Sequence, residues 1–192
     1  MKNLRKALLI LIVVVMALPA CKKGANDPGI SLKSRKARLT GEWKLSEGTE
    51  TDVSGGSSTV YTYTGSTCSY SSGGTTVTSP YSEKITFDKK GTFEMVRTSG
   101  SDLSTYKGSW YFGGKDKELD LKNKESVVIL VTSVVETSGG TTYTGTYTGS
   151  DVQMITFNID ELKGKEMIVL LDGTSLEGSS SSNTTGTMTY VQ

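Results

Sequence analysis

The sequence predicts an all-β protein: an antiparallel up-and-down meander closing into a barrel of about 8–10 strands, with polar hairpins projecting from it. Three observations predict it. Gly, Ser and Thr are abundant while Pro occurs only three times, and hardly any stretch has helical period. Apolar and polar residues alternate in segment after segment, the period of a half-buried strand. Short turns join these segments, and no helix of crossover length separates them, which leaves antiparallel neighbours. Closure into a barrel removes the exposed strand edges that invite aggregation.

The chain opens differently. Lys2, Arg5 and Lys6 precede an unbroken apolar run of 12 residues, Ala7 to Leu18. A membrane-crossing helix needs about 20 apolar residues, so this run fits the apolar region of a signal peptide. Leu18-Pro19-Ala20-Cys21 follows. It resembles the bacterial lipoprotein signal, which is cleaved between Ala20 and Cys21 and leaves a diacylated cysteine as the first residue. The resemblance implies removal of residues 1–20 and attachment to a membrane through Cys21, since two acyl chains hold stably where one does not. A plain secreted protein with an incidental cysteine is the alternative. Residues 21–38 then read as a lipidated N-terminus and flexible tether, basic in character and broken at Pro28-Gly29. Residue 22 is Lys rather than Asp, so the familiar inner-membrane retention cue is missing. The expected place is the outer membrane of a cell envelope, on either face.

Residues 39–192 form one domain of ordinary size. Residues 34–39 form a short helical turn before it. In Gly41-Glu42-Trp43-Lys44-Leu45, Trp43, Leu45 and then Glu47 share an inward face. Residues 51–81 are dominated by Ser, Thr, Gly and Tyr, and read as a hairpin projecting beyond the wall with Gly73-Gly74 near its turn. Ile85 and Phe87 face one way, Asp88-Lys89-Lys90-Gly91 turns, and Phe93 and Met95 return on the same side. Tyr106, Gly108, Trp110 and Phe112 alternate inward, Gly113 to Asp116 turns, and Leu119 and Leu121 begin a short strand. Ser126 to Val135 is apolar on both faces, as expected of a covered or long central strand. Thr137 to Ser150 repeats the polar bias. Ile155, Phe157 and Ile159 lead into a turn over residues 160–165, after which Met167, Val169 and Leu171 return. Gly178 to Asn183 reads as a flexible loop, and Thr187 to Val191 closes the domain with Met188 and Tyr190 on one face.

Several function classes are excluded. Without Lys2, Arg5 and Lys6 the chain carries 18 basic and 20 acidic residues, which gives no electrostatic case for nucleic acid. There is no histidine, so Ser-His and Cys-His pairs and most zinc sites are ruled out. Cys68 is the only other cysteine. It reads as a free thiol on a polar hairpin, or as half of an intermolecular disulfide. Asp116, Glu118 and Asp120 share one strand face but interleave with Lys115, Lys117 and Lys122, so a solvated charged edge is preferred to a calcium site. No catalytic residue, metal site or cofactor is identified, and no enzymatic activity is expected.

Four segments resemble the lipocalin-like lipoproteins of Bacteroidetes-type bacteria: Gly41-Glu42-Trp43; Ile85 to Phe93; Gly108-Ser109-Trp110-Tyr111 with Leu119-Asp120-Leu121; and Ile159 to Leu162 with Met167 to Leu170. The chain departs from eukaryotic lipocalins in having no Thr-Asp-Tyr-type motif and no arginine in its last strand to stack on Trp43. The resemblance implies a barrel with a core of Trp43, Phe87, Phe93, Trp110 and Phe157, either filled or lining a site for a small apolar ligand. The competing expectation is a filled, inert barrel serving as a surface interaction module. Its tyrosines at 61, 63, 143 and 147 would then contact glycan or protein.

Overall fold

The computed structural model describes residues 27–28, 33–114, 125–177 and 180–192, the side chains of 173–182 excepted. A single turn of helix, α1 (Arg35–Leu39), precedes the sheet, and the Ser34 hydroxyl caps it by accepting from the Ala37 N–H at 3.1 Å. Eleven strands follow among the described residues: β1 (Gly41–Ser54), β2 (Ser57–Tyr63), β3 (Thr67–Ser72), β4 (Thr75–Phe87), β5 (Thr92–Ser99), β6 (Asp102–Phe112), β7 (Ser126–Ser138), β8 (Thr141–Thr146), β9 (Gln153–Leu162), β10 (Glu166–Glu177) and β11 (Ser180–Val191). All their pairings are antiparallel, and β6 with β7 and β1 with β11 complete a closed barrel.

The barrel has two unlike ends. At the closed end β1 pairs directly with β4, Gly41 to Lys44 opposite Phe87 to Lys84. Eight strands form the wall there. Towards the rim β1 parts from β4, and β2 and β3 fill the gap between them. The stretch expected to project beyond the wall is thus built into it, and widens it to ten strands. Its hairpin tips, at Gly55-Gly56 and Gly73-Gly74, are exposed turns with positive φ, the conformation that glycine adopts without steric cost. The other polar stretch forms β8, which pairs only with β7 and leaves a short free edge. On that side β9 pairs with β10 only between residues 158–162 and 167–170. Nearer the rim the two strands separate.

The closed end holds the packed core. Trp43, Ile85, Phe87, Val127, Ile129, Leu162, Met167 and Val169 are essentially inaccessible, and Leu39 of α1 caps them from below. Phe87, Phe93, Trp110 and Phe112 form a chain of tilted and edge-to-face rings with centroids 5.5–5.8 Å apart, the geometry their quadrupoles favour. Both indoles are satisfied: Trp43 Nε1 donates to the Leu39 carbonyl at 2.7 Å and Trp110 Nε1 to the Asp88 carbonyl at 3.0 Å. Lys36 lies 5.6 Å from the centre of the Trp110 ring. It supplies a cation against an indole in a chain without a last-strand arginine.

Below this core sits a buried ionic clip. Asp27 accepts from Arg35 Nη1 at 2.5 Å and from Arg38 Nη2 at 2.9 Å, and its other oxygen accepts from the Leu162 N–H at 2.9 Å. Arg38 also donates to the Leu162 carbonyl, and Arg35 to the Ile159 carbonyl. Burial pulls the Arg35 pKa below its ordinary value, with Asp27 and Glu125 opposing that shift. The tether expected over residues 21–38 is therefore docked on the barrel at Asp27 and at Arg35 and Arg38. The reason is that two guanidinium groups cannot be buried there without a carboxylate and backbone carbonyls to pair them.

Other expectations shift locally. A bulge at Ser46 offsets the register between Leu45 and Glu47, so Glu47 is exposed and Gly48, Glu50 and Asp52 take the inner face. Gly65 packs its turn over this bulge, 2.9 Å from the Ser46 carbonyl at the position a Cβ would occupy. A second bulge, at Asp160, continues β9 to the buried Leu162, where a turn was expected. β7 is long and central, but its buried apolar residues, Val127, Ile129, Val131 and Val134, all lie on the inner face, while Val128 and Leu130 are only partly covered. Residues 180–183 are the start of β11 rather than a loop: all four pair with β10, and 182 and 183 pair with β1 as well. The turn expected at Lys115-Asp116, the strand at Leu119 and Leu121, and Asp116, Glu118 and Asp120 lie outside the described residues.

Candidate functional site

Above the packed half the barrel is hollow. A cavity of about 510 Å³ opens towards the rim. Alternation fixes which side chains line it, since every second residue of each wall strand points inward. Leu45, Met95, Ile155, Phe157, Leu171 and Met188 form an apolar side. The polar side is Glu50, Tyr61, Tyr63, Cys68, Tyr81, Glu83, Arg97 and Tyr190. Where β9 and β10 separate, Ile155, Phe157 and Leu171 border a lateral gap beside it.

Glu83 is the centre of the polar side and is buried. Its Oε2 accepts from Arg97 Nε at 2.9 Å, Arg97 Nη2 at 2.8 Å and the Tyr81 hydroxyl at 3.0 Å; its Oε1 accepts from the Tyr190 hydroxyl at 2.6 Å. Glu83 and Arg97 are register partners on β4 and β5, so the pair lies straight across one hairpin. Desolvation is the largest influence on the Arg97 charge and works against it, but Glu83 together with Tyr81 and Tyr106 outweighs it and holds the guanidinium protonated. A second centre is smaller: the Tyr63 hydroxyl donates to Glu50 Oε2 at 3.0 Å.

The tyrosines here stay protonated. Burial pushes the Tyr63, Tyr81 and Tyr190 phenols well above their ordinary pKa, and the neighbouring carboxylates push the same way, Glu50 for Tyr63 and Glu83 for the other two. Burial also raises the Cys68 thiol, so it is a poor nucleophile there. The thiol is free and faces the mouth of the cavity from β3.

Of the core residues expected from sequence, Trp43, Phe87, Phe93 and Trp110 pack together in the closed half, while Phe157 alone reaches the cavity. The four tyrosines expected as an exposed platform do not share a surface. Tyr61 and Tyr63 line the cavity, Tyr147 packs against the core and Tyr143 is 63% exposed. The Glu83–Arg97 pair was not foreseen, although extending the inward series Phe87, Ile85 and the series Phe93, Met95 by one step each places it. Among the described residues no three His, Cys, Asp or Glu side chains group so as to hold a metal.

Fold and cavity together define a closed antiparallel barrel of the lipocalin-like kind, solid at one end and hollow at the other. Comparison of the chain with protein-family models, curated proteins and solved structures finds no match.

Proposed function

We propose that this chain is a lipid-anchored lipoprotein of the cell envelope whose barrel binds a small, largely apolar molecule without transforming it. The observation that carries the binding reading is the cavity. Its volume of about 510 Å³ falls within the roughly 300–1,000 Å³ of small-molecule sites, which are mostly apolar with a few placed polar groups. The anchor rests on Leu18-Pro19-Ala20-Cys21 and the apolar run before it.

The two parts fit one arrangement. Asp27 is fastened at the closed end, six residues after Cys21. Six extended residues reach at most about 20 Å, so an acyl anchor on Cys21 holds the closed end towards the bilayer and the open mouth away from it. An outer-membrane place agrees with Lys22 following the cysteine.

Native mass spectrometry of protein purified from its host's membranes tests the binding reading: a co-purifying small molecule is expected, and consistently empty protein would count against it. For the anchor, Cys21→Ser should release the chain from membranes or leave it as an uncleaved precursor. Full membrane retention of a processed Cys21→Ser chain after carbonate extraction would refute the assignment.

A further inference from the structure

Much of the hydrogen-bonding capacity of the cavity is already committed to its own wall, although the Tyr61, Ser99 and Thr184 hydroxyls also line it. The hydroxyl protons of Tyr63, Tyr81 and Tyr190 are all engaged on carboxylates of the wall. A phenol has a single proton to donate, so these three oxygens offer a ligand only acceptor lone pairs. Both oxygens of Glu83 are occupied, and its charge is balanced by Arg97. Glu50 is different. Tyr63 reaches its Oε2, and among the described residues Oε1 has no hydrogen-bond partner and no cation pairs with the carboxylate. The cavity wall therefore carries an uncompensated carboxylate at Glu50, and Asp52, two residues further along the same inner face and also near Tyr61, adds to it. Arg97 keeps spare N–H groups, but an anion approaching them would meet both Glu83 and Glu50.

Aromatic rings surround that charge. Tyr61 is the register partner of Glu50, and Tyr63 is two residues further along β2. Tyr61 packs on Tyr70 with centroids 6.1 Å apart, and Tyr63 on Tyr81 at 4.9 Å. Electron-rich ring faces beside a carboxylate attract an ammonium group by cation–π and Coulomb interaction together. Leu45, Met95, Phe157 and Met188, deeper in the cavity, offer nothing to a charge and suit an apolar body.

We propose that the cavity selects amphipathic ammonium compounds, with the cationic group between Glu50 and the Tyr61 and Tyr63 rings and the apolar body against Leu45, Met95, Phe157 and Met188. This rests on the reading of the barrel as a ligand carrier and specifies the charge of its ligand.

Three probes of one shape test it: phenylbutylamine, phenylbutanol and phenylbutyrate, titrated calorimetrically into the full chain in neutral detergent micelles, with protein-free micelles as reference. The amine should bind at least about tenfold more tightly than the carboxylate, a difference of about 1.4 kcal/mol, with the alcohol between them. Glu50→Gln should remove the preference for the amine over the carboxylate, whereas Glu50→Asp should keep the preference. A β-type far-ultraviolet circular dichroism spectrum and a cooperative urea transition show that the Gln variant is folded. If the carboxylate binds as tightly as the amine while the alcohol binds, the cation assignment fails and the carrier reading stands. Were none of the three to bind, both would fail.

Discussion

The two halves of this barrel are made from the same strands and obey opposite rules. In the closed half the inward positions are Trp43, Ile85, Phe87, Trp110 and Val169, packed ring on ring with both indole N–H groups satisfied. In the rim half the same strands turn Glu50, Glu83 and Arg97 inward, joined by tyrosines from β2, β4 and β11. The difference follows from wall width. Eight strands give an interior just wide enough for side chains to fill. Once β2 and β3 enter between β1 and β4, the circumference grows and side chains no longer meet across the middle. Polar groups can then stay inside, because they pair along the wall and with one another. The packed core is concentrated in the first half and the inward-facing charged groups in the second.

The largest expected effect lies in the closed half. Trp43→Ala removes a fully buried ring and leaves the Leu39 carbonyl without its donor. It should cost about 3–5 kcal/mol in urea unfolding. A loss below about 1 kcal/mol would mean that the closed half is not the stabilising one.

An intermediate effect separates the halves by pH. The phenols of Tyr63, Tyr81 and Tyr190 titrate higher in the folded chain than in the unfolded one, through burial first and adjacent carboxylates second. Above about pH 10 the unfolded state releases phenolic protons that the folded state retains. The stability these groups contribute is therefore fully present below pH 10 and falls as pH rises beyond it. Ultraviolet titration should show these three resisting ionisation at pH 11 until the chain unfolds. Ionisation of these three at pH 11 in the folded protein would contradict their burial against Glu50 and Glu83 on the cavity wall.

The smallest effect is expected outside both. Tyr143→Ala, on the free-edge strand and mostly exposed, should change stability by no more than about 0.5 kcal/mol and leave ligand binding alone. A larger loss of binding to envelope glycan or protein would instead favour the reading of the hairpins as contact surfaces.

Much of the closed half was legible. The alternation of Ile85 and Phe87 with Phe93 and Met95 around Asp88 to Gly91, and the pairing of Met167 and Val169 with β9, are local patterns that survive intact. The rim half was legible only in part. Tyr61 and Tyr63 carried a strand signal, but nothing in their own neighbourhood says whether that strand stands outside a barrel or within its wall. Glu83 and Arg97 were readable in principle, one alternation step beyond residues already assigned inward. Alternation alone does not assign them inward, because charged side chains are seldom buried unless paired, and pairing becomes visible only with the register.

The sequence alone determined the all-β class, the turns at Gly73-Gly74 and Asp88 to Gly91, the inward identity of the large aromatics and the absence of histidine. The tertiary structure alone decided where the interior is hollow and what charge it holds. The physical reason is that strand periodicity is a two-residue rule, and a bulge of one residue inverts it. At Ser46 that inversion turns Glu47 out and Glu50 in. Which strands become neighbours depends on contacts made far away along the chain, and those place β2 and β3 in the wall and open the barrel around Glu50.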